Sequence, residues 1–181
     1  MISKSVYFAI GTLLCLSATE RLRAETASFP KDQPAFKVEM PSGWVATETE
    51  TSLYVRPTAA GVPGHFFAFI ELPPSEVSDA TSAKKYVETY RTTELKNLNV
   101  EEKANIWPVM EESLPNGLKG WAAEANAFMK SKPGDLPQAI AFTAIAFSPD
   151  GDQYYLMVAF GRSADSTTNK DFLKKSILPP K

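Results

Sequence analysis

The sequence predicts an α+β fold, a mainly antiparallel β-sheet flanked by helices. Three observations lead there. Apolar stretches of strand length recur along the chain and several are joined by hairpin turn signals; one stretch, 79–97, switches to helical period; and a second helical stretch, 166–176, closes the chain. Hairpin joins imply antiparallel pairing, because parallel strands need long crossovers, and helices set against such a sheet define the class.

The first strand is read at 36–40 (FKVEM), where Phe36, Val38 and Met40 alternate with Lys37 and Glu39, the pattern of a strand with one wet face. Pro41 cannot donate to a ladder and Gly43 frees the backbone to turn, so Trp44 and Val45 start a new run with Trp44 packed under that turn. A strand at 52–56 (SLYVR) ends at Pro57, and 58–64 (TAAGVPG) reads as a loop. The stretch 65–72 (HFFAFIEL) has no polar side chain between His65 and Glu71, which marks a central strand covered on both faces; Pro73 and Pro74 end it.

Ser78 and Asp79 offer capping oxygens, and Ala83, Tyr86, Val87, Tyr90, Leu95 and Leu98 follow at roughly helical spacing. The other face of this helix, with Lys84, Lys85, Glu88, Arg91, Glu94 and Lys96, is expected to be solvated. A strand at 100–110 is broken by Pro108, and 114–120 (LPNGLKG) contains an Asn116-Gly117 pair suited to a hairpin turn. Two long strands, 121–129 and 139–147, follow, separated by a Pro-Gly loop at 131–137; their alanines let a helix lie close to the sheet. A turn at 148–152 (SPDGD), a last strand at 153–161 and the terminal helix at 166–176, burying Phe172, Leu173 and Ile177, complete the order.

The 181 residues begin with Lys4 followed by an uncharged apolar run, 6–16, too short to cross a bilayer, which takes about 20 residues. This is the pattern of a secretory signal peptide, 1–24, cut after Ala24, with Ala18 as a second position; a retained anchor and lipidation at Cys15 are the alternatives. The expected product is a single domain, 25–181, periplasmic or secreted, with no integral membrane segment. The leader removes three of 19 basic and one of 21 acidic residues, leaving a net charge of −4, together with the one cysteine. The scattered basic residues argue against a nucleic-acid partner. With no cysteine in the expected product, a disulfide, a cysteine nucleophile and a thiolate zinc site are excluded.

A catalytic set is not recognisable. His65 is the lone histidine, and there is no Gly-x-Ser-x-Gly elbow, phosphate loop or dinucleotide fingerprint. Glu111 and Glu112 are neighbours on a strand, so they point to opposite faces and are read as solvated. Asp150 and Asp152 read as turn residues rather than a calcium loop. The minority alternative is a small periplasmic hydrolase or metal-binding protein using His65 with Asp150, Asp152 or Glu71. Most aromatics are core; Trp107 before Pro108, Trp121 after the glycine-containing turn, and His65 at a loop boundary are the candidate interface residues.

The segment FKVEMPSGW at 36–44, the helix near 80–98, the hairpin-rich second half and the ending FLKKSILP at 172–179 together resemble the PsbP-like fold of the photosystem II protein PsbP, DcrB-type bacterial envelope proteins and a Ran-binding nuclear import factor. The resemblance covers nearly all of 25–181. It implies an α/β/α-like sandwich with no shared catalytic residues, acting as a binding or assembly module; the expected partner is an envelope protein or a small ligand, and no cofactor is expected.

Overall fold

The apolar run after His65 lies near the middle of a sheet, covered on both faces as its composition demands. The computed structural model describes residues 26–40, 43–58, 66–98, 105–129 and 136–178. The elements are β1 (Thr26–Phe29), β2 (Phe36–Glu39), β3 (Trp44–Glu48), β4 (Ser52–Pro57), β5 (Phe66–Glu71), α1 (Ala80–Asn97), β6 (Asn105–Ile106), β7 (Met110–Ser113), β8 (Lys119–Met129), β9 (Gln138–Phe147), β10 (Tyr155–Arg162), α2 (Ser166–Ser176) and β11 (Ile177–Leu178). The main sheet has eight strands in the order β3-β4-β5-β10-β9-β8-β6, with β7 also paired to β8; β1, β2 and β11 form a separate three-stranded sheet. Every pairing among the described strands is antiparallel.

Period two sorts the side chains of each long strand into two cores. Ala68 and Ile70, Leu156 and Val158, Ala123 and Ala125, and Phe142 and Ala144 face α1 with Tyr86, Val87 and Tyr90. Phe67 and Phe69, Met157 and Ala159, and Ile145 and Phe147 face the small sheet and α2, meeting Phe29, Phe36, Val38, Leu173 and Ile177. The alanines on β8 and β9 give α1 the close approach expected of them. The result is the layered α+β sandwich, with the small sheet and α2 sharing one outer layer.

Local chemistry explains the boundaries. Asp79 caps α1 by accepting from the Ser82 backbone N–H at 2.7 Å, while Ser82 Oγ accepts from the Asp79 N–H at 3.0 Å. Asn116 and Gly117 take φ of 61° and 75° in the β7–β8 turn. The 148–152 turn is closed by Asp150 Oδ1, which accepts from the N–H groups of Asp152 and Gln153.

Four expectations are corrected. Strand β1 was not foreseen, and the alternating run at 36–40 belongs to the small sheet, so the Gly43 turn passes the chain from one sheet to the other. Arg91 and Glu94, expected on the wet face of α1, are buried at 5% and 2% exposure. They lie on the stripes of Val87, Leu95 and of Ala83, Val87, Tyr90, and spacing overrides charge. Glu112, expected to be solvated, is shielded by Lys170 and Lys174. Finally, α2 starts at Asp165 without a side-chain cap; that carboxylate accepts from Arg162 Nε at 3.2 Å instead. The segment 1–24 expected to be a signal peptide, Pro41, the 59–64 loop, His65 and the start of the 100–110 strand lie outside the described residues.

Candidate functional site

The β8–β9 ladder shows where the α2 face of the sheet stops being core. Its successive pairs on that face are Gly120–Phe147, Ala122–Ile145, Glu124–Thr143 and Asn126–Ala141. The first two sit under the small sheet; the last two form the floor of an open groove of about 370 Å³. Ser166, Thr167 and Lys170, from the first turns of α2, make one wall, and Trp107, in the break between β6 and β7, makes the other. A volume of this size falls at the small end of the range for ligand sites, roughly 300–1,000 Å³.

Trp107 is 42% exposed, yet its backbone is fixed. Its N–H donates to the Glu124 carbonyl at 3.3 Å, and its carbonyl accepts from Arg91 Nη1 at 2.6 Å. The same Arg91 nitrogen reaches the Glu124 carbonyl at 3.3 Å. Burial pulls the guanidinium below its ordinary pKa, with Glu88 acting in the opposite sense, but it stays a cation. Two carbonyl oxygens at the sheet edge thus receive a buried charged donor, and the Trp107 indole is presented on a rigid peptide.

Charges on the α2 side cancel. Lys170 contacts both Glu112 and Glu124, and Lys174 meets Glu112 at 3.1 Å. Burial pushes the Glu112 carboxyl up, but the hydrogen bonds from the two lysines outweigh it and hold the group below the usual carboxylate range. Burial lowers and the two carboxylates raise Lys170, with a net upward shift. This half-buried network ties α2 to the β7–β8 hairpin and leaves the groove without an uncompensated lysine.

Behind the opposite face lies a second polar feature. Glu94 is buried beneath α1 near Tyr54 and Tyr90, with Oε2 unpartnered among the described residues. Burial pushes its carboxyl up to about 7, partly offset by a hydrogen bond with Asn97.

Of the candidate interface residues, Trp107 lines this groove, whereas Trp121 lines another, with Glu111, Lys119 and Tyr154. The two tryptophans therefore do not share a surface. Trp121 packs partly on the α1 core with Lys84 Nζ 4.9 Å from its ring centre. His65 lies outside the described residues. Among the described residues no three of His, Cys, Asp and Glu gather as metal ligands, and no helix is long and apolar enough to cross a membrane. Sequence reasoning missed Glu124, Asn126, Thr143 and Arg91. The signal for the first three was present, as Glu124 and Asn126 are the polar half of an alternating strand and Thr143 interrupts an otherwise apolar one.

No protein-family model and no curated protein matches the sequence. Among solved structures the chain is similar to the Ran-binding protein Mog1p of Saccharomyces cerevisiae, at 12% identity over 85% of each chain and a TM-score of 0.47. It is also similar to a protein from Bacteroides thetaiotaomicron, at 11% identity and a TM-score of 0.50, over 88% of this chain and 50% of that one. The second likeness bears on the fold alone, and this chain spans half of that protein's length.

Proposed function

We propose that this is an exported, non-catalytic binding module of the bacterial cell envelope, and that its contact surface is the groove beside Trp107. One observation carries the reading: a large aromatic side chain stands exposed at the sheet edge while its backbone is anchored by a buried arginine. An aromatic ring left in water on a rigid support costs hydration without adding to the core, which is the signature of a contact residue. Ile106, Met110 and Phe128, on the strands at this side of the sheet, are exposed as well, and exposed apolar groups beside a groove suit an interaction surface. The leader at 1–24 and the lack of a recognisable catalytic set support the export and the non-catalytic role. The resemblance to DcrB-type envelope proteins points the same way.

Thermal unfolding of the wild-type chain and of Trp107→Ala, each mixed with protein, glycan and low-molecular-weight fractions of envelope extract, tests this. A ligand at a hundredfold excess over its Kd adds about 2.7 kcal/mol, so at least one fraction should raise the wild-type midpoint by several degrees and leave the variant unmoved. Equal shifts in both proteins would move the contact surface elsewhere. Turnover of a hydrolase substrate abolished by His65→Ala would replace the reading with catalysis.

A further inference from the structure

The lining of the groove narrows the ligand class. Its floor is neither apolar nor charged overall: Thr143 and Asn126 contribute a hydroxyl and an amide, the α2 wall adds the hydroxyls of Ser166 and Thr167, and Glu124 is neutralised by Lys170. The hydrogen bonds that hold the groove together run through Arg91, Lys170 and the Trp107 backbone, not through the Asn126 and Thr143 side chains. That leaves donors and acceptors in alternation on one side and an exposed indole on the other.

Each common ligand class makes a different demand. A lipid chain needs an apolar floor, and this one has Glu124, Asn126 and Thr143. A phosphorylated ligand needs unpaired positive charge, and Lys170 already faces two carboxylates. A pyranose ring matches both surfaces: its C–H face is apolar and lies flat on an indole, while its equatorial hydroxyls each donate and accept, as hydroxyl, amide and carboxylate groups require. The groove is open rather than enclosed, so a ring within a longer chain fits as well as a free sugar.

We propose that the groove between Trp107 and the start of α2 binds a neutral saccharide unit, stacked on Trp107 and hydrogen-bonded through Thr143, Asn126 and the α2 hydroxyls. This rests on the groove being the contact surface proposed above. The experiment is a fluorescence titration of the full chain with two neutral probes, tetra-N-acetylchitotetraose and maltotetraose, and with an uncharged tetrapeptide as competitor class. Trp107→Ala and Thr143→Val are the variants, both checked by thermal unfolding.

The expected result is a saturable change in tryptophan emission with at least one saccharide, absent in Trp107→Ala. Loss of one neutral hydrogen bond in Thr143→Val should weaken it about three- to tenfold. No saturable change with either saccharide at millimolar concentration overturns the proposal, as does a change that persists in Trp107→Ala. A Trp107-dependent response to the tetrapeptide alone also overturns it while leaving the groove as the contact surface. Absence of any Trp107-dependent response here, and of any Trp107-dependent stabilisation by envelope fractions, removes both readings.

Discussion

The two ends of one sheet face are built from opposite materials. At one end Phe69, Phe147 and Tyr155 meet Phe36 from the three-stranded cover, with ring centres 5.2–6.0 Å apart. Two ladder steps away along β8 and β9 the same face carries Glu124, Asn126 and Thr143, the cover stops, and an indole stands in water. The aromatic end excludes solvent and supplies stability; the polar end, where Thr143 is 5% exposed at the base, opens onto the groove. The contrast sets stability in one part of the surface and the proposed contact in its neighbour, so that each part can be damaged alone.

Phe36→Ala attacks the aromatic end at its centre. Removing a fully buried phenylalanine costs about 3–5 kcal/mol, so urea unfolding should show a large drop in midpoint, while the fraction still folded should keep its Trp107-dependent response. A smaller insult at the same end is Gly120→Ala. An added Cβ there would stand 2.8 Å from Ile145 Cγ2 and 2.9 Å from the Ala146 carbonyl oxygen, and overpacking of this kind costs roughly 1–3 kcal/mol.

Arg91→Met tests the link between the two regions. It withdraws a buried charged donor from two carbonyl oxygens, a loss of about 1–3 kcal/mol. Because one of those carbonyls belongs to Trp107, it should also broaden or shift that residue's emission, which a purely core role would not do.

Glu94→Gln reads out as pH dependence. The carboxyl stands near 7 in the folded chain and returns to about 4.5 when unfolded. The native state therefore holds the proton more tightly. This contribution is complete below about pH 4.5 and is lost as pH rises through 7. Wild-type stability should fall across that window and level out above it. Glutamine should flatten this component, and an unchanged slope in the variant would place the titration elsewhere.

Much of the architecture was written in the periodicity of the chain. Strand alternation, the Asp79 cap and the Asn116-Gly117 hairpin follow from local rules, because each depends on residues close in sequence; the alanine-rich strands were legible as a covered face from their composition alone. What was not legible depends on tertiary pairing. The two-residue strand β11 lies far along the chain from β2, and only the folded sheet brings Ile177 and Leu178 beside Val38 and Lys37; β1 pairs with β2 across a short connection but is only four residues long. The charge of Arg91 and Glu94 points to water, whereas their spacing places them with the buried stripe. Half of the site was visible in Trp107. The other half, Thr143 and Asn126, looks like ordinary strand variation until register puts both beside α2.

Trp107 is proposed to serve contact and not stability. Urea unfolding of Trp107→Ala, run beside the wild type and Phe36→Ala, tests it most directly. An exposed side chain away from the core should change stability by no more than about 0.5 kcal/mol, so the expected result is a midpoint matching wild type together with loss of ligand-induced stabilisation. A midpoint lowered toward that of Phe36→Ala would contradict it and make Trp107 part of the core.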